Sequence, residues 1–518
     1  MPLEVLRPLV IALLAVTLGA LVVRLYRRAD RRLPLPPGPK ATWFGSVGLP
    51  REYQWLTYAQ WKKIYGDLIY VHVWGNSILV LNTAEAVNDL FEKRSARYSS
   101  RPPNVMVNEL MGWDWLFSSM PYTPWWRKHR ALFQQHFNAN NLPKFKAIML
   151  REAHALLRNL MKDPDELFHH VRRSSIAIVM MLSYGHQIAP EGDMYVNIAD
   201  KALSGLAQAG IFGTYMVDYI HLLKYIPSWF PGAAFKRQAL EWREVTQMMV
   251  NLPFKKVKQD MAAGKAVSCF VTDQLEHAFA SGGGISSEEE QLIKDVAAIA
   301  YAAGADTTVS AILSFFLAVQ VYPEIQTKAQ QEIDKVVGSG RLPSFEDRED
   351  LPYIDCIVWE CLRWNPVTPL GLARQVAEDD EYQGHRIPKG TTIVPNVWAI
   401  LHDEKMYPEP LRFNPDRFLD EVQNAALNIN ELPNAAFGFG RRACPGRTLA
   451  FETIWITIAT TLAVYNISKA KDERGHDIEP DTEFTSTLLS HPKSFRCSIA
   501  PRSEKAHSLV LQTLDGQT

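Results

Sequence analysis

One ten-residue run constrains this chain more than any other. Residues 437–446 hold a single cysteine, Cys444, between Gly440 and Gly446, with Arg441 and Arg442 just before it and a long apolar stretch behind it. The glycines let the backbone turn tightly and come close to a flat ligand. The apolar stretch over 446–464 reads as a helix, so Cys444 sits near a helix start, where backbone N–H groups favour a negative sulfur. A lone thiolate in such a loop is either a nucleophile or a soft ligand for iron, and these surroundings favour iron. Arg442 lies two residues from the sulfur and suits a carboxylate on the same ligand. The plainer reading is a buried structural cysteine in a glycine-rich turn.

The other cysteines are Cys269, Cys356, Cys361 and Cys497, and no C-x-x-C pair occurs. An odd count without pairs argues against a disulfide framework and for a reducing compartment. A net charge of −1 over 518 residues leaves no footprint for nucleic acid. The amino terminus differs from the rest. Residues 8–23 are apolar, and Arg24, Arg27, Arg28, Arg31 and Arg32 follow closely. The stretch is just short of the roughly 20 residues that span a bilayer, and Leu3, Val5 and Leu6 extend it. It runs into arginines rather than a small-residue cleavage site, so it reads as a retained anchor whose basic flank keeps the body cytosolic. Prolines stiffen residues 33–39 into an extended hinge. The expected division is an anchor at 1–26, a basic and proline-rich hinge at 27–40 and a single body at 41–518.

Within the body, 55–65 and 84–94 have helical spacing, and 69–73 with 77–81 alternate around Gly75 and Asn76 as a hairpin. Residues 124–261 are mostly amphipathic helix, with breaks near Pro227 and Pro231. Residues 281–284 read as a flexible loop. Ser286 and Glu289 form a capping box that opens one long helix reaching about 319. Residues 323–337 and 351–364 are further helices, and 380–395 turn strand-like around Gly384 and Gly390. Many helices with fewer strands make a mainly α, α+β class. Two local oddities stand out. Gly304 and Asp306 interrupt the long apolar helix against propensity, which marks a functional site. Trp126 and Arg130 lie one turn apart and can reach one spot.

The ten-residue run meets Phe-x-x-Gly-x-Arg-x-Cys-x-Gly at Phe437, Gly440, Arg442, Cys444 and Gly446. It resembles the haem-thiolate signature of the cytochrome P-450 superfamily. Glu360-Cys361-Leu362-Arg363 and the later Asn414-Pro415-Asp416-Arg417 resemble that family's two bracing motifs, and the anchor, basic patch and proline hinge resemble those of its microsomal members. The resemblance implies the cytochrome P-450 fold, with a long central helix over the haem and a smaller β-rich region. It implies haem b with the Cys444 thiolate as axial ligand. Glu360, Arg363 and Arg417 would form a buried triad, and Arg442, Trp126, Arg130, Arg374 and Phe437 would hold the haem. Ala373 stands where many relatives have histidine before that last arginine. Asp306 and Thr307 match the acid–alcohol pair that delivers protons during dioxygen activation.

By the same resemblance the chain is a monooxygenase of the endoplasmic reticulum membrane, single-pass with its catalytic domain in the cytosol. NADPH electrons would come from a membrane-bound NADPH–cytochrome P-450 reductase, with cytochrome b5 the other candidate donor. No glycine-rich nucleotide fingerprint points to a fused reductase. Arg127, Lys128 and Arg441 would offer a basic docking face. Residues 106–113, 229–233 and 363–366 look like fungal members of secondary metabolism, of the tryptamine 4-monooxygenase and O-methylsterigmatocystin oxidoreductase types. A mainly apolar pocket from 105–117, 207–212, 299–303, 367–372 and 487–489 would take a small lipophilic terpenoid, polyketide or aromatic molecule. The alternatives are an isomerase or dehydratase on the same fold and a haem-thiolate sensor without catalysis. Thr307 argues against the first and the acid–alcohol pair against the second.

Overall fold

The computed structural model describes residues 16–20, 33–40, 48–211, 213–280, 284–419 and 432–514. The expected anchor at 1–26 lies outside them apart from 16–20, which are helical, and so do the basic stretch at 27–32, residue 212 of the expected pocket and the loop at 281–283. The described part of the proline hinge is pinned rather than free. The Tyr70 N–H donates to the Pro37 carbonyl and the Arg386 N–H to the Pro34 carbonyl, both at 2.8 Å. A Cβ on Gly38 would overlap the Tyr70 carbonyl, so only glycine lets the chain lie this close.

Strands β1 (Leu68–Val73) and β2 (Asn76–Leu81) form the expected hairpin, with Ile69 opposite Val80. Trp74 and Gly75 make its turn at φ 47° and 85°, the left-handed pair that a twisted two-residue hairpin needs. Later come β3 (Arg374–Gln375), β4 (Asp380–Tyr382), β5 (His385–Ile387) and β6 (Thr392–Pro395). One sheet runs β1-β2-β6-β3, with β2 and β6 parallel, and β4 pairs with β5. Sequence spacing did not reveal a last pair, β7 (Tyr465–Lys469) with β8 (Cys497–Pro501), nor the helix Glu504–Gln512.

The helices around the site are α1 (Pro124–His136), α2 (Leu142–Lys162), α3 (Leu167–Tyr184), α4 (Met194–Ala209), α5 (Ser287–Gly304), α6 (Thr307–Val321), α7 (Pro352–Trp364) and α8 (Arg447–Val464). Among the described residues, Ser287–Val321 is long and apolar enough to cross a membrane, but 83 % of its apolar window is buried inside the protein, so it is the core helix. The capping box of Ser286 and Glu289 opens it as expected. It is not continuous: it breaks at Ala305 and Asp306. The Thr307 hydroxyl bonds the Ala303 carbonyl at 2.8 Å, and the Asp306 side chain is drawn sideways by ion pairs. Side-chain competition for backbone groups of this kind bends helices. A Cβ on Gly304 would overlap Val179, so glycine also allows α3 to approach. Helix α8 is apolar on all sides and packs against α2, α6 and α7, which fixes the start of α8 behind the cysteine loop.

Candidate functional site

The cysteine loop is built on two positive-φ glycines, Gly438 at 77° and Gly440 at 53°. The Gly440 N–H is bound by the Glu92 carboxylate, and a Cβ there would overlap the Phe91 carbonyl. The Cys444 N–H donates to the Phe437 carbonyl at 2.7 Å, closing the loop back on its first residue. Phe437 packs its ring 5.2 Å from Phe451 of α8. Helix α8 starts three residues after the sulfur, so the expected backbone support is partly present. Burial nonetheless pushes the Cys444 thiol up, against the Gly446 N–H and the charges of Arg130 and Arg447. The thiolate therefore needs a cation, and a coordinating metal supplies one by displacing the thiol proton.

Behind this loop stands an ion cluster with Glu360 and Arg363 fully buried and Arg417 at its half-buried edge. Arg363 donates from Nε and Nη2 to the two Glu360 oxygens at 2.6 and 2.8 Å, and neither side chain is exposed. Arg417 Nε reaches the same carboxylate at 3.3 Å. The Asn414 N–H donates to it at 2.7 Å, and Arg363 Nη1 donates to the Leu401 and Pro410 carbonyls at 3.1 and 2.8 Å. Arg363 and Arg417 both lie over the Tyr407 ring. One carboxylate thus ties α7 to the irregular chain over 401–417.

A cavity of about 430 Å³ opens above the sulfur. Cys444, Phe437, Thr307, Trp126 and four arginines, Arg101, Arg130, Arg374 and Arg442, line it. Arg442 donates to the Ser99, Phe117 and Met120 carbonyls at 2.8, 3.2 and 2.8 Å and stacks 4.2 Å from the Trp126 ring. Arg374 donates to the Tyr98 and Phe439 carbonyls, and Arg101 to those of Ser118, Leu372 and Ala373. None of the four has a carboxylate within ion-pair distance among the described residues. Burial, then the neighbouring cations, pushes Arg442 down to about 8. The same causes push Arg101 and Arg374 down to about 9. A guanidinium does not give up its proton in a protein. The pressure comes first from burial, and an anionic group in the cavity would offset it. The buried Trp126 Nε1 also has no acceptor among the described residues.

These features fit haem. Two propionates would supply the missing anions and an acceptor for Trp126, and Cys444 the axial sulfur. Among the described residues no group of three His, Cys, Asp or Glu could hold a metal, so iron at Cys444 must bring its other ligands with it. All five cysteines are free. The other walls are mainly apolar: Val107, Ile211, Ile299, Leu370 and Leu488 come from the expected segments, while Leu206 and, from α3, Val179 and Leu182 add a wall the sequence reading did not place.

The two expected proton-handling residues part company. Thr307 lines the cavity and Asp306 does not. Asp306 Oδ1 lies 2.8 Å from Arg172 of α3, and Oδ2 lies 3.3 Å from His491. Burial pushes its carboxyl up, but the His491 hydrogen bond and the charges of His491 and Arg172 outweigh burial and hold it below its ordinary value. Of the expected docking cations, Lys128 is paired with Glu288 at 2.6 Å and Arg441 donates to the Tyr122 hydroxyl at 3.0 Å.

Arg101, Arg172 and His491 escaped the sequence reading. Arg101 had a faint signal, since Pro102 holds it extended and can aim it across a turn. The other two lie on segments that only the fold brings to Asp306.

Residues 35–498 match the family model for cytochrome P-450. Cytochrome P-450 monooxygenase 98 of Postia placenta is 43 % identical over 96 % of this chain and 97 % of its own length. Tryptamine 4-monooxygenase of Psilocybe cyanescens is 36 % identical over 98 % of this chain and its whole length. A zebrafish cytochrome P-450 solved with abiraterone shares the fold at TM-score 0.69 and 22 % identity, over 87 % of this chain and all of that one.

Proposed function

The chain belongs to the cytochrome P-450 family, a haem-thiolate oxidoreductase class whose relatives here are named monooxygenases, and on that premise we propose the substrate, the electron source and the residue roles. The substrate is a small lipophilic metabolite, terpenoid, polyketide or aromatic, of fungal secondary metabolism. The likeness to tryptamine 4-monooxygenase and the apolar upper cavity support this reading. Electrons come from NADPH through a separate reductase, with the protein anchored by 1–26 in the endoplasmic reticulum membrane. Arg127 and Arg441 supply the docking charge, since Lys128 is already paired.

The observation that carries the reading is the sulfur of Cys444 facing a cavity whose four guanidiniums have no described counter-ion. Arg101, Arg130, Arg374 and Arg442, with the Trp126 N–H, would hold the propionates, and Phe437 would contact the haem from the cavity wall. When bound, the haem iron with its thiolate ligand would supply the activation of dioxygen. Glu360 binds both Arg363 and Arg417 and so keeps the chain behind the loop in register. Thr307 offers a hydroxyl at the cavity wall, and its hydrogen bond to Ala303 opens the helix there. The apolar walls exclude water from the substrate and orient it by shape.

Co-expression with a fungal reductase in microsomes, with extracts screened by mass, tests this proposal. It requires a product heavier by one oxygen that depends on NADPH and O2. Turnover to an isomer, or to a product lighter by water, without either reagent would contradict it.

A further inference from the structure

Asp306 faces a charged cluster and not the cavity. Arg172 Nη1 bridges Asp306 Oδ1 at 2.8 Å and Asp200 Oδ1 at 3.2 Å, and His491 Nε2 sits 3.3 Å from Asp306 Oδ2. Exposure rises along this cluster, from 6 % for the Asp306 side chain to 15 % for His491, 28 % for Arg172 and 39 % for Asp200. Exposed His169 stands behind Asp200 and acts on its charge. A polar path thus runs from solvent to the break between α5 and α6. The main chain of His491 is fixed: its N–H donates to Thr485 Oγ1 at 3.0 Å, and its carbonyl accepts from the Thr485 N–H at 2.8 Å.

A group that passes protons inward must first hold one. Asp306 is held ionised by its two partners, so at neutral pH it has no proton to give. Arg172 keeps its own. His491 is the remaining contact, its Nε2 is 3.3 Å from Asp306 Oδ2, and an imidazole can take a proton at one ring nitrogen and release it at the other. We propose that His491 recharges Asp306: its Nε2 proton passes to Asp306 Oδ2, Asp306 turns it toward Thr307, and solvent reprotonates the imidazole. Arg172 holds the carboxylate between turnovers. The groups facing His491 are Asp306 and Arg172, with Asp200 and His169 beyond them, and on its own segment Glu483 and Lys493 pair with each other. The proposal rests on the proton-delivery role of Asp306 and Thr307.

The test compares wild type, Asp306→Asn, His491→Gln and His491→Ala as holoenzymes with reductase, each matched for carbon monoxide spectrum and melting temperature. Glutamine keeps an N–H for Asp306 but cannot relay a proton, so a structural role survives in His491→Gln. Asp306→Asn should slow kcat by on the order of a hundredfold. His491→Gln should slow it by about tenfold or more, flatten the pH profile, enlarge the solvent deuterium isotope effect and release more hydrogen peroxide per NADPH, with substrate binding unchanged. His491→Ala should match it. In the resting protein, the infrared carboxyl band lost in Asp306→Asn should titrate at higher pH in His491→Gln, because Asp306 has lost a cationic partner. A wild-type rate and profile in His491→Gln, with Asp306→Asn slow, overturns the proposal and leaves the Asp306 reading standing. A wild-type Asp306→Asn overturns that reading and this one with it.

Discussion

Replacing Arg130 by glutamine removes one of the four guanidiniums crowding the cavity without breaking a described hydrogen bond or ion pair. Arg442, Arg101 and Arg374 each donate to backbone carbonyls and therefore also hold loops in place. Arg130 has no such partner among the described residues. Burial pushes its guanidinium down, with the Cys444 sulfur pulling the other way. If it serves to bind a propionate, its loss removes a charge-assisted hydrogen bond of about 1.5 to 3 kcal/mol. That corresponds to roughly 10- to 150-fold weaker haem retention. In the haem-free protein the same change relieves repulsion with Arg442, so stability should stay level or rise by up to about 1 kcal/mol. Haem transfer to a scavenging apoglobin, followed at the Soret band, measures the first quantity. Melting of haem-free and haem-loaded protein measures the second. Loss of more than about 2 kcal/mol in the haem-free protein, with unchanged transfer, would make Arg130 a scaffold residue and refute the cage argument.

Glu360→Ala leaves the buried Arg363 and the half-buried Arg417 without their shared anion, and breaking such a cluster costs about 3 to 5 kcal/mol; purified variant should lack the haem band, and a normally loaded protein would remove the bracing role. Gly440→Ala must place a Cβ against the Phe91 carbonyl at φ 53°, so the loop should shift and haem content fall, as absorbance per protein would show. The Asp306 carboxyl is held below its ordinary value, so its pairing stabilises fully above the unfolded-state value of about 3.9 and is lost as pH falls through the lower folded-state value. Melting scans below about pH 5 should therefore fall less steeply for Asp306→Asn than for wild type.

The β1–β2 hairpin, the capping box at Ser286 and the apolar helix after Cys444 are local signals, and each is present, the hairpin with its turn one residue earlier than expected, at Trp74 and Gly75. The parallel β2–β6 pairing and the β7–β8 pair join segments far apart in sequence, and nothing local announces them. The break at Asp306 was half legible. Gly304 and an acid in an apolar helix signalled an anomaly, but its direction depends on Arg172 and His491. The Glu360–Arg363 contact follows from helical spacing alone, whereas Arg417 reaches it through tertiary folding. Arg101 was missed because a lone arginine in a turn looks like any solvated charge until burial reveals its missing counter-ion.

The most direct test of the central claim is the spectrum of the reduced protein under carbon monoxide, for wild type and Cys444→Ser side by side. The account predicts a Soret band shifted far to the red in wild type and absent in the serine variant. A wild-type protein without porphyrin, or a red-shifted band that survives the loss of Cys444, would contradict it.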